Sequence, residues 1–333
     1  MNAVTPIEEA GSGGQAAYDV AVIGGGAAGL NGALALARAR RSVVVVDAGD
    51  PRNAPAAHVH NYLGREGSTP AELYGSGRAE VTGYGGTVLQ GDTATIRRDA
   101  DGLFRVILAD GRELRARRIL AASGVRDRLP ELPGLAERWG STVLHCPYCH
   151  GWEVRDKAIG ILAVDMDAAM HQALLWRQIT ADVVVFLHTA GVPDSAQADQ
   201  LAARGIGTVA GEVEGVEGQA DVRLSGGRLV ERDALVVLTY LEARAGYLAG
   251  LGLEPAEQFM GKLAFGTSIP ADPTGATSVP GVYAAGNLAV PMAQVIASAS
   301  SGLMAGAAIN ADLVAEETGL AVAALAGAAV PGA

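Results

Sequence analysis

The sequence predicts an α/β protein of two three-layer domains, the second inserted into the first. Three observations carry that reading. Short apolar runs rich in β-branched residues alternate with Ala- and Leu-rich segments, as buried parallel strands alternate with crossover helices. Glycine is abundant, at 45 of 333 residues, and several glycines fall at a turn between a strand and a helix. A strand-to-helix turn of small residues also recurs near the end of the chain, at Gly286.

Residues 1–17 read as a flexible leader. Tyr18-Asp19-Val20-Ala21-Val22-Ile23 is a buried strand, Gly24 to Gly29 a turn, Leu30–Ala39 a helix, and Ser42–Val46 a second buried strand ending at Asp47. Residues 48–75 read as loop. Short strands follow at Thr87–Gln90, Gly91–Arg97, Leu103–Leu108 and Arg112–Arg118, with a turn at Asp110-Gly111. Ile119–Gly124 returns as a separate strand into a small-residue turn. The insert takes residues 125–243, with strands at Lys157–Val164 and Ala181–His188 around a helix at Ala168–Gln178, and further strands at Gly207–Val216, Val222–Leu224 and Ala234–Leu238. The first domain is therefore discontinuous, 18–124 plus 244–317. It closes with a helix over Ala293–Glu317, and 318–333 is an Ala-rich tail expected to fray.

Composition narrows the function classes. Hydrophobic residues are 49% of the chain and charged ones 18%, which suits a sizeable core and argues against wholesale disorder. A formal net charge of −11, with no basic run to offset it, repels nucleic-acid phosphates and anionic lipid. No apolar stretch reaches the roughly 20 residues that span a bilayer, and residues 1–17 lack a basic-then-apolar signal, so a cytoplasmic location is the expectation.

Gly24, Gly26 and Gly29 spell GxGxxG after a buried strand and at the start of a helix, and Asp47 follows about 20 positions on. Gly24 permits the tight turn, Gly26 lets a pyrophosphate approach the backbone N–H groups, and Gly29 lets helix and strand pack closely. With Ala27 and Ala28, these residues present a helix N-terminus to phosphate, and Asp47 can accept from ribose hydroxyls. The expected domains are thus Rossmann-like. The motif alone does not separate one dinucleotide from another.

The two cysteines both lie in Cys146-Pro147-Tyr148-Cys149-His150. A secreted disulfide scaffold would use more and scatter them, whereas two cysteines at this spacing in an α/β chain point to redox chemistry. A zinc site from His145, Cys146, Cys149 and His150 is the competing reading. Closing a tetrahedron from one short segment is sterically awkward, so no metal is expected.

From Tyr18 to about Asp312 the chain resembles the low-molecular-weight thioredoxin reductases, in the flavoprotein disulfide reductase fold. The residues that carry the likeness are the glycine motif, the CxxC and Thr277–Asn287, which looks like that family's second FAD motif. The resemblance implies FAD held by Gly24, Gly26, Ala27, Ala28, Gly29, Asp47, Asn53, Asn61, Ser123, Gly124, Gly286, Asn287 and Gln294. It also implies that Cys146 exchanges with substrate while Cys149 faces the flavin, and that the protein is a homodimer. Family members place an Asp after the second cysteine. Here His150 takes that position and His145 precedes the pair, so both are candidate acid–base groups, His150 the stronger.

One family motif is missing. Thioredoxin reductases bind NADPH in the insert through a second GxGxxA turn and a His-Arg-Arg cluster. Here Ile159–Leu162 runs into Ala163-Val164-Asp165-Met166-Asp167-Ala168, and the next strand ends Leu187-His188-Thr189-Ala190. Side chains on that turn block backbone approach and two carboxylates repel phosphate. Electrons are therefore expected to flow from a small-molecule dithiol to the cysteine pair, to FAD and to O2, giving H2O2. His150 after the CxxC, His58-Val59-His60-Asn61 and His171–Leu175 look like the dithiol oxidases that close disulfides in microbial natural products of the holomycin, gliotoxin and romidepsin types. A disulfide reductase using NADPH unusually or another donor, and a flavin-loaded redox sensor, are the alternatives.

Overall fold

The structure is a computed structural model that describes residues 17–328. Most of the expected leader (1–16) and the end of the Ala-rich tail (329–333) lie outside the described residues. The chain opens with β1 (Tyr18–Ile23), α1 (Ala27–Arg38), β2 (Val43–Asp47), α2 (Pro70–Gly83), β3 (Thr87–Gln90), β4 (Thr93–Arg98), β5 (Phe104–Leu108) and β6 (Glu113–Ala121). It continues through β7 (Val125–Arg128), β8 (Val143–Leu144), α3 (Pro147–His150), β9 (Ile159–Leu162), α4 (Met166–Trp176), β10 (Val183–Phe186), α5 (Ser195–Ala203) and β11 (Gly207–Val209). The remaining elements are β12 (Val213–Glu217), β13 (Asp221–Leu224), β14 (Leu229–Val230), β15 (Ala234–Val236), β16 (Tyr240–Ala243), β17 (Ala256–Met260), β18 (Leu263–Ser268), β19 (Val282–Ala284) and α6 (Val295–Ala328), with short 3-10 turns between.

The first sheet runs β3-β2-β1-β6-β5-β4, and β19 pairs with β6. Alternation along its central strands splits the core into two layers. Val20, Val22, Val43 and Val45 face α1, α2 and α6, whereas Ala21, Ile23, Val44 and Val46 face a second layer with Phe104, Val106 and Leu248. The insert is a parallel sheet, β11-β10-β9-β15-β8, with α4 and α5 against one face and the small antiparallel sheet β12-β13-β14 against the other. Strands β7 and β16 carry the chain out of the first sheet and back, and they pair antiparallel in a fourth sheet, β17-β18-β16-β7.

Four element expectations need correction. Gly207–Val216 is not one strand: Gly207–Val209 is β11 at the edge of the parallel sheet, and Val213–Glu217 is β12 in the antiparallel one, because the chain turns at Gly211 with φ +120°. Arg112–Arg118 and Ile119–Gly124 are not two strands: β6 is one strand of 9 residues. Its first half pairs antiparallel with β5 and its second half parallel with β19, so the change from alternating to apolar sequence marks a change of partner rather than a break. The segment 48–75 is loop only as far as Thr69. There a capping box, Thr69 with Glu72, starts α2 at Pro70. Finally, α6 does not end near Glu317 but continues to Ala328. Arg117 and Arg118 grip Asp312, Glu316 and Glu317 and hold its middle against β1 and β6.

Packing of α1 on α6 bears directly on the glycine-rich turn. A Cβ on Gly302 would overlap the Ala28 carbonyl, and one on Gly306 would press on Gly32. Gly302→Ala must therefore push α6 away from the first turn of α1. It is expected to destabilise the fold by about 3 kcal/mol or more and to weaken dinucleotide retention. Thermal denaturation and the flavin content after gel filtration read both effects.

Candidate active site

A single cavity of about 1740 Å³ extends from the glycine turn to the CxxC segment. Ordinary small-molecule pockets are roughly 300–1,000 Å³, so this one has room for a dinucleotide and a second ligand. All the residues expected at the site line it except Gly29 and Asn61.

At the dinucleotide end the backbone makes a cradle. Gly24 has φ +108° and a Cβ there would meet the Ala122 carbonyl, while Gly29 lies behind the turn against the Gly24 carbonyl. Nothing lies within 4 Å of a Cβ built on Gly26, which is open toward the cavity. Asp47 Oδ1 accepts from the Gly25 and Gly49 amides at 3.2 and 3.1 Å. That fixes the carboxylate at the end of β2, and it makes Gly25 a second constrained glycine, because a side chain there would run into Asp47. Asn53 Oδ1 accepts from the Tyr74 hydroxyl at 3.0 Å.

At the other FAD motif, Gly286 takes φ +67° and its N–H donates to Ser301 Oγ. The Asn287 amide donates to the carbonyls of Pro291 and Ala293, both at 2.8 Å. Asn287 thereby shapes the loop into α6, and only its Oδ1 is left for a ligand. Ser123 Oγ donates to the Arg244 carbonyl, and Gly124 follows with φ +73°.

The redox pair sits on a single helical turn. Cys146 is the residue before α3, and the Cys149 and His150 amides both donate to its carbonyl. A hydrogen bond from Cys149 pulls the Cys146 thiol down; burial opposes it, and the Cys149 and Tyr148 amides with the Arg52 charge help, leaving Cys146 at about 7. Cys149 moves the other way, raised by that same hydrogen bond, by burial and by the charge on Cys146. The pair is thus built to hold one thiolate, on the cysteine nearer the chain start.

Both flanking histidines are half-buried in the cavity wall. Burial, with the Arg52 charge, lowers His145 to about 4, so at neutral pH it is an uncharged ring packed near Trp139. Burial also lowers His150, against the pull of Glu153. A neutral His150 is a proton acceptor at pH 7, not a proton donor. Both of its ring nitrogens are buried without a hydrogen-bond partner, as are Thr93 Oγ1 and Ser298 Oγ. All three residues line the cavity, and His150 does so beside Cys149. Orphaned polar atoms strung along one cavity are what a long, polar ligand would satisfy, so the residues present fit FAD.

Two residues stand elsewhere than the sequence places them, or were not foreseen. Asn61 does not reach the cavity: its side-chain amide donates to the Tyr148 carbonyl at 2.7 Å, on the outer side of the CxxC turn. Arg52 was not singled out. It grips Asp127 of β7 with two hydrogen bonds at 2.6 and 2.8 Å, and Thr239 donates to the same carboxylate at 2.8 Å. Burial pulls the Asp127 carboxyl up, but Arg52 and Thr239 outweigh it and leave it below the usual range. The partner lies 75 residues away in sequence, so no local spacing could have announced it.

The model of the pyridine nucleotide-disulphide oxidoreductase family matches residues 18–306. The chain belongs to that family. It is 31% identical over 312 residues to thioredoxin reductase sirT of Leptosphaeria maculans, covering 88% of this chain and 93% of that one. It is 32% identical to thioredoxin reductase tcpT of Claviceps purpurea, covering 90% and 96%. Among solved structures HlmI superposes with a TM-score of 0.86 at 41% identity, over 94% of this chain and 98% of that one. An oxidoreductase from Agrobacterium tumefaciens superposes with a TM-score of 0.84 at 35% identity, over 90% and 99%. The fold is that of the thioredoxin reductase-like flavoproteins, and the cofactor is FAD. Among the described residues no helix is long and apolar enough to cross a membrane, and no group of three or more His, Cys, Asp or Glu side chains could hold a metal.

Proposed function

We propose that this family member is an FAD-dependent dithiol oxidase acting on a small molecule. The observation that carries the reading is a contrast between two crevices. The first domain has the cavity of about 1740 Å³, whereas the matching crevice of the insert, above β9 and at the start of α4, has about 10 Å³. There the Asp165 carboxylate accepts from the Ala168 amide and caps α4, in the position a cofactor phosphate would need. Asp167 accepts from Gln197 beside it. In the next strand's loop, His188 Nδ1 accepts from the Val213 amide, so it too is committed to the fold. These commitments support a turn that no longer receives NADPH in the usual manner.

The chemistry follows from the residues at the redox end. A substrate thiolate attacks Cys146 Sγ in the Cys146–Cys149 disulfide, and Cys149 leaves as a thiolate. The second substrate thiol attacks its own mixed disulfide, so the new S–S bond forms in the substrate and Cys146 departs. Its low pKa makes it a good leaving group. Neutral His150 takes the proton of the incoming thiol. Held by the Gly24–Ala28 turn, Asp47 and the Gly286–Asn287 turn, FAD would supply the two-electron acceptor between the reduced cysteine pair and O2. Overall, two thiols lose two electrons and two protons, and O2 gains them as H2O2. The family's homodimer is the assembly we propose with it.

The relatives named thioredoxin reductases favour the reverse direction, with NADPH bound in another mode as donor. One anaerobic experiment separates the two. The yellow protein is mixed with dithiothreitol or a cyclic vicinal dithiol, and separately with NADPH. The dithiol is expected to bleach the flavin, and air to restore it with one H2O2 per disulfide. Rapid bleaching by micromolar NADPH, with dithiols inert, would overturn the proposal.

A further inference from the structure

We infer that Asn61 is a positioning residue for the redox pair: it caps the C-terminal side of the CxxC turn from outside and so fixes where Cys146 and Cys149 stand. The inference deepens the redox reading of this site and holds for either direction of electron flow.

The argument begins with the length of α3. Its four residues, Pro147–His150, amount to one turn, and a single turn has no stability of its own in water. Two carbonyls of this turn are satisfied within the segment, that of Cys146 by the Cys149 and His150 amides and that of Pro147 by the Gly151 amide. The Tyr148 carbonyl takes its partner from outside the segment, the Asn61 amide at 2.7 Å. The Tyr148 carbonyl and the Cys149 N–H belong to one peptide unit, and that N–H donates to the Cys146 carbonyl at 3.2 Å. Holding the Tyr148 carbonyl therefore holds the backbone that joins the two cysteines.

Asn61 is itself held by a built arrangement. It takes φ +61°, a left-handed conformation that Asn tolerates better than most residues. Its own N–H donates to Glu66 Oε2 at 2.9 Å, and the other oxygen of that carboxylate lies 2.6 Å from His60 Nδ1. His60 Nε2 is 3.5 Å from Glu153, just beyond the CxxC turn. A strained residue pinned by its neighbours at the edge of a reactive segment is a recurrent positioning device. The same loop touches the insert again through Arg52 on Asp127 and through Pro55, 2.8 Å from a Cβ placed on Gly140.

Three variants of the full-length flavoprotein test the assignment. Asn61→Gly keeps the left-handed backbone and removes the donor. Asn61→Asp keeps the shape and sets a carboxylate against the Tyr148 carbonyl. Glu66→Ala removes the anchor of Asn61 at a side chain 63% exposed, where folding is not at risk. The readouts are the pH midpoint of Cys146 alkylation by iodoacetamide in the reduced protein, located by mass spectrometry, and the split between kcat and KM for dithiothreitol. The midpoint is expected to rise from about 7 by about one unit in Asn61→Gly, further in Asn61→Asp and less in Glu66→Ala. In Asn61→Gly kcat is expected to fall roughly tenfold with KM nearly unchanged. If all soluble variants keep the wild-type midpoint, or lose only thermal stability, the assignment is wrong. The alkylation arm needs no oxidant and no NADPH, so it can fail or succeed independently of the oxidase proposal.

Discussion

Replacing Cys146 by Ser is expected to lower kcat for dithiol oxidation by about 10³-fold or more while leaving FAD bound. An oxygen in place of Sγ forms no disulfide, so the substrate thiolate loses its electrophile. The dinucleotide cradle at Gly24–Ala28 and Asp47 lies at the far end of the cavity and is untouched, so the yellow colour is expected to persist. Cys149→Ser should fail differently. There Cys146 stays a thiol, with no Cys146–Cys149 bond for a substrate thiolate to break, so dithiol oxidation is lost too. The disulfide form of the substrate can still be captured, because the Cys146 thiolate displaces one of its sulfurs as a thiolate and no second cysteine resolves the mixed disulfide. In Cys149→Ala, which offers no donor, Cys146 loses the hydrogen bond that contributes most to its low pKa, so its alkylation midpoint should climb from about 7 toward the ordinary thiol range near 9. Stopped-flow flavin absorbance and intact-mass measurement of the trapped adduct check both. A Cys146→Ser protein with a tenth or more of wild-type turnover would rule out the cysteine pair as the relay.

His150→Ala is expected to slow flavin reduction by a dithiol about 10²- to 10⁴-fold at neutral pH. The size of the loss should depend on pH, and the sign can be worked out. Burial lowers the His150 pKa, so in the wild-type protein the ring is neutral at pH 7 and takes on charge only as the pH falls below its ordinary range. Wild-type activity should thus hold on the acid side further than an ordinary histidine allows. Substrate thiols titrate at about 8.5, so near pH 7 they need a base, and well above 9 they need none. The defect of His150→Ala is therefore largest at and below pH 7 and shrinks as the pH rises past the thiol pKa. His145→Gln should show no such profile, because its ring, lowered to about 4 by burial and by Arg52, is too weak a base to take a thiol proton across this range. A defect in His150→Ala that is the same at every pH would mean the ring acts by packing alone.

Much of the fold was legible because its signals are local. The run Val20–Ile23, the glycines that follow it and Asp47 at the end of the next strand lie within one βαβ unit, where period and turn chemistry decide the outcome. The helix α2 was passed over although its capping box stands in the sequence at Thr69 and Glu72. Gly75 and Gly77 dilute its apolar period, and the stretch before it, with Pro51, Asn53, Pro55, Asn61 and Gly64, reads as loop. The two halves of β6 were read as two strands because a strand that changes partners midway changes its pattern as well.

What the sequence by itself determined are the local parts: a glycine turn at Gly24–Gly29, a CxxC at Cys146 and Cys149, and an insert whose turn at Ala163–Asp167 has no glycines. Each rests on residues a few positions apart, whose backbone requirements are the same in any context. The tertiary structure alone decided how those parts work together. It joined the turn and the cysteines in one cavity, gave Cys146 rather than Cys149 the low pKa, and kept His145 and His150 uncharged. It also set Arg52 on Asp127 and moved Asn61 from the cofactor to the Tyr148 carbonyl. The physical reason is that desolvation and charge–charge coupling depend on which groups are near in space. Here those groups come from segments 75 and 87 residues apart, a distance over which spacing carries no information.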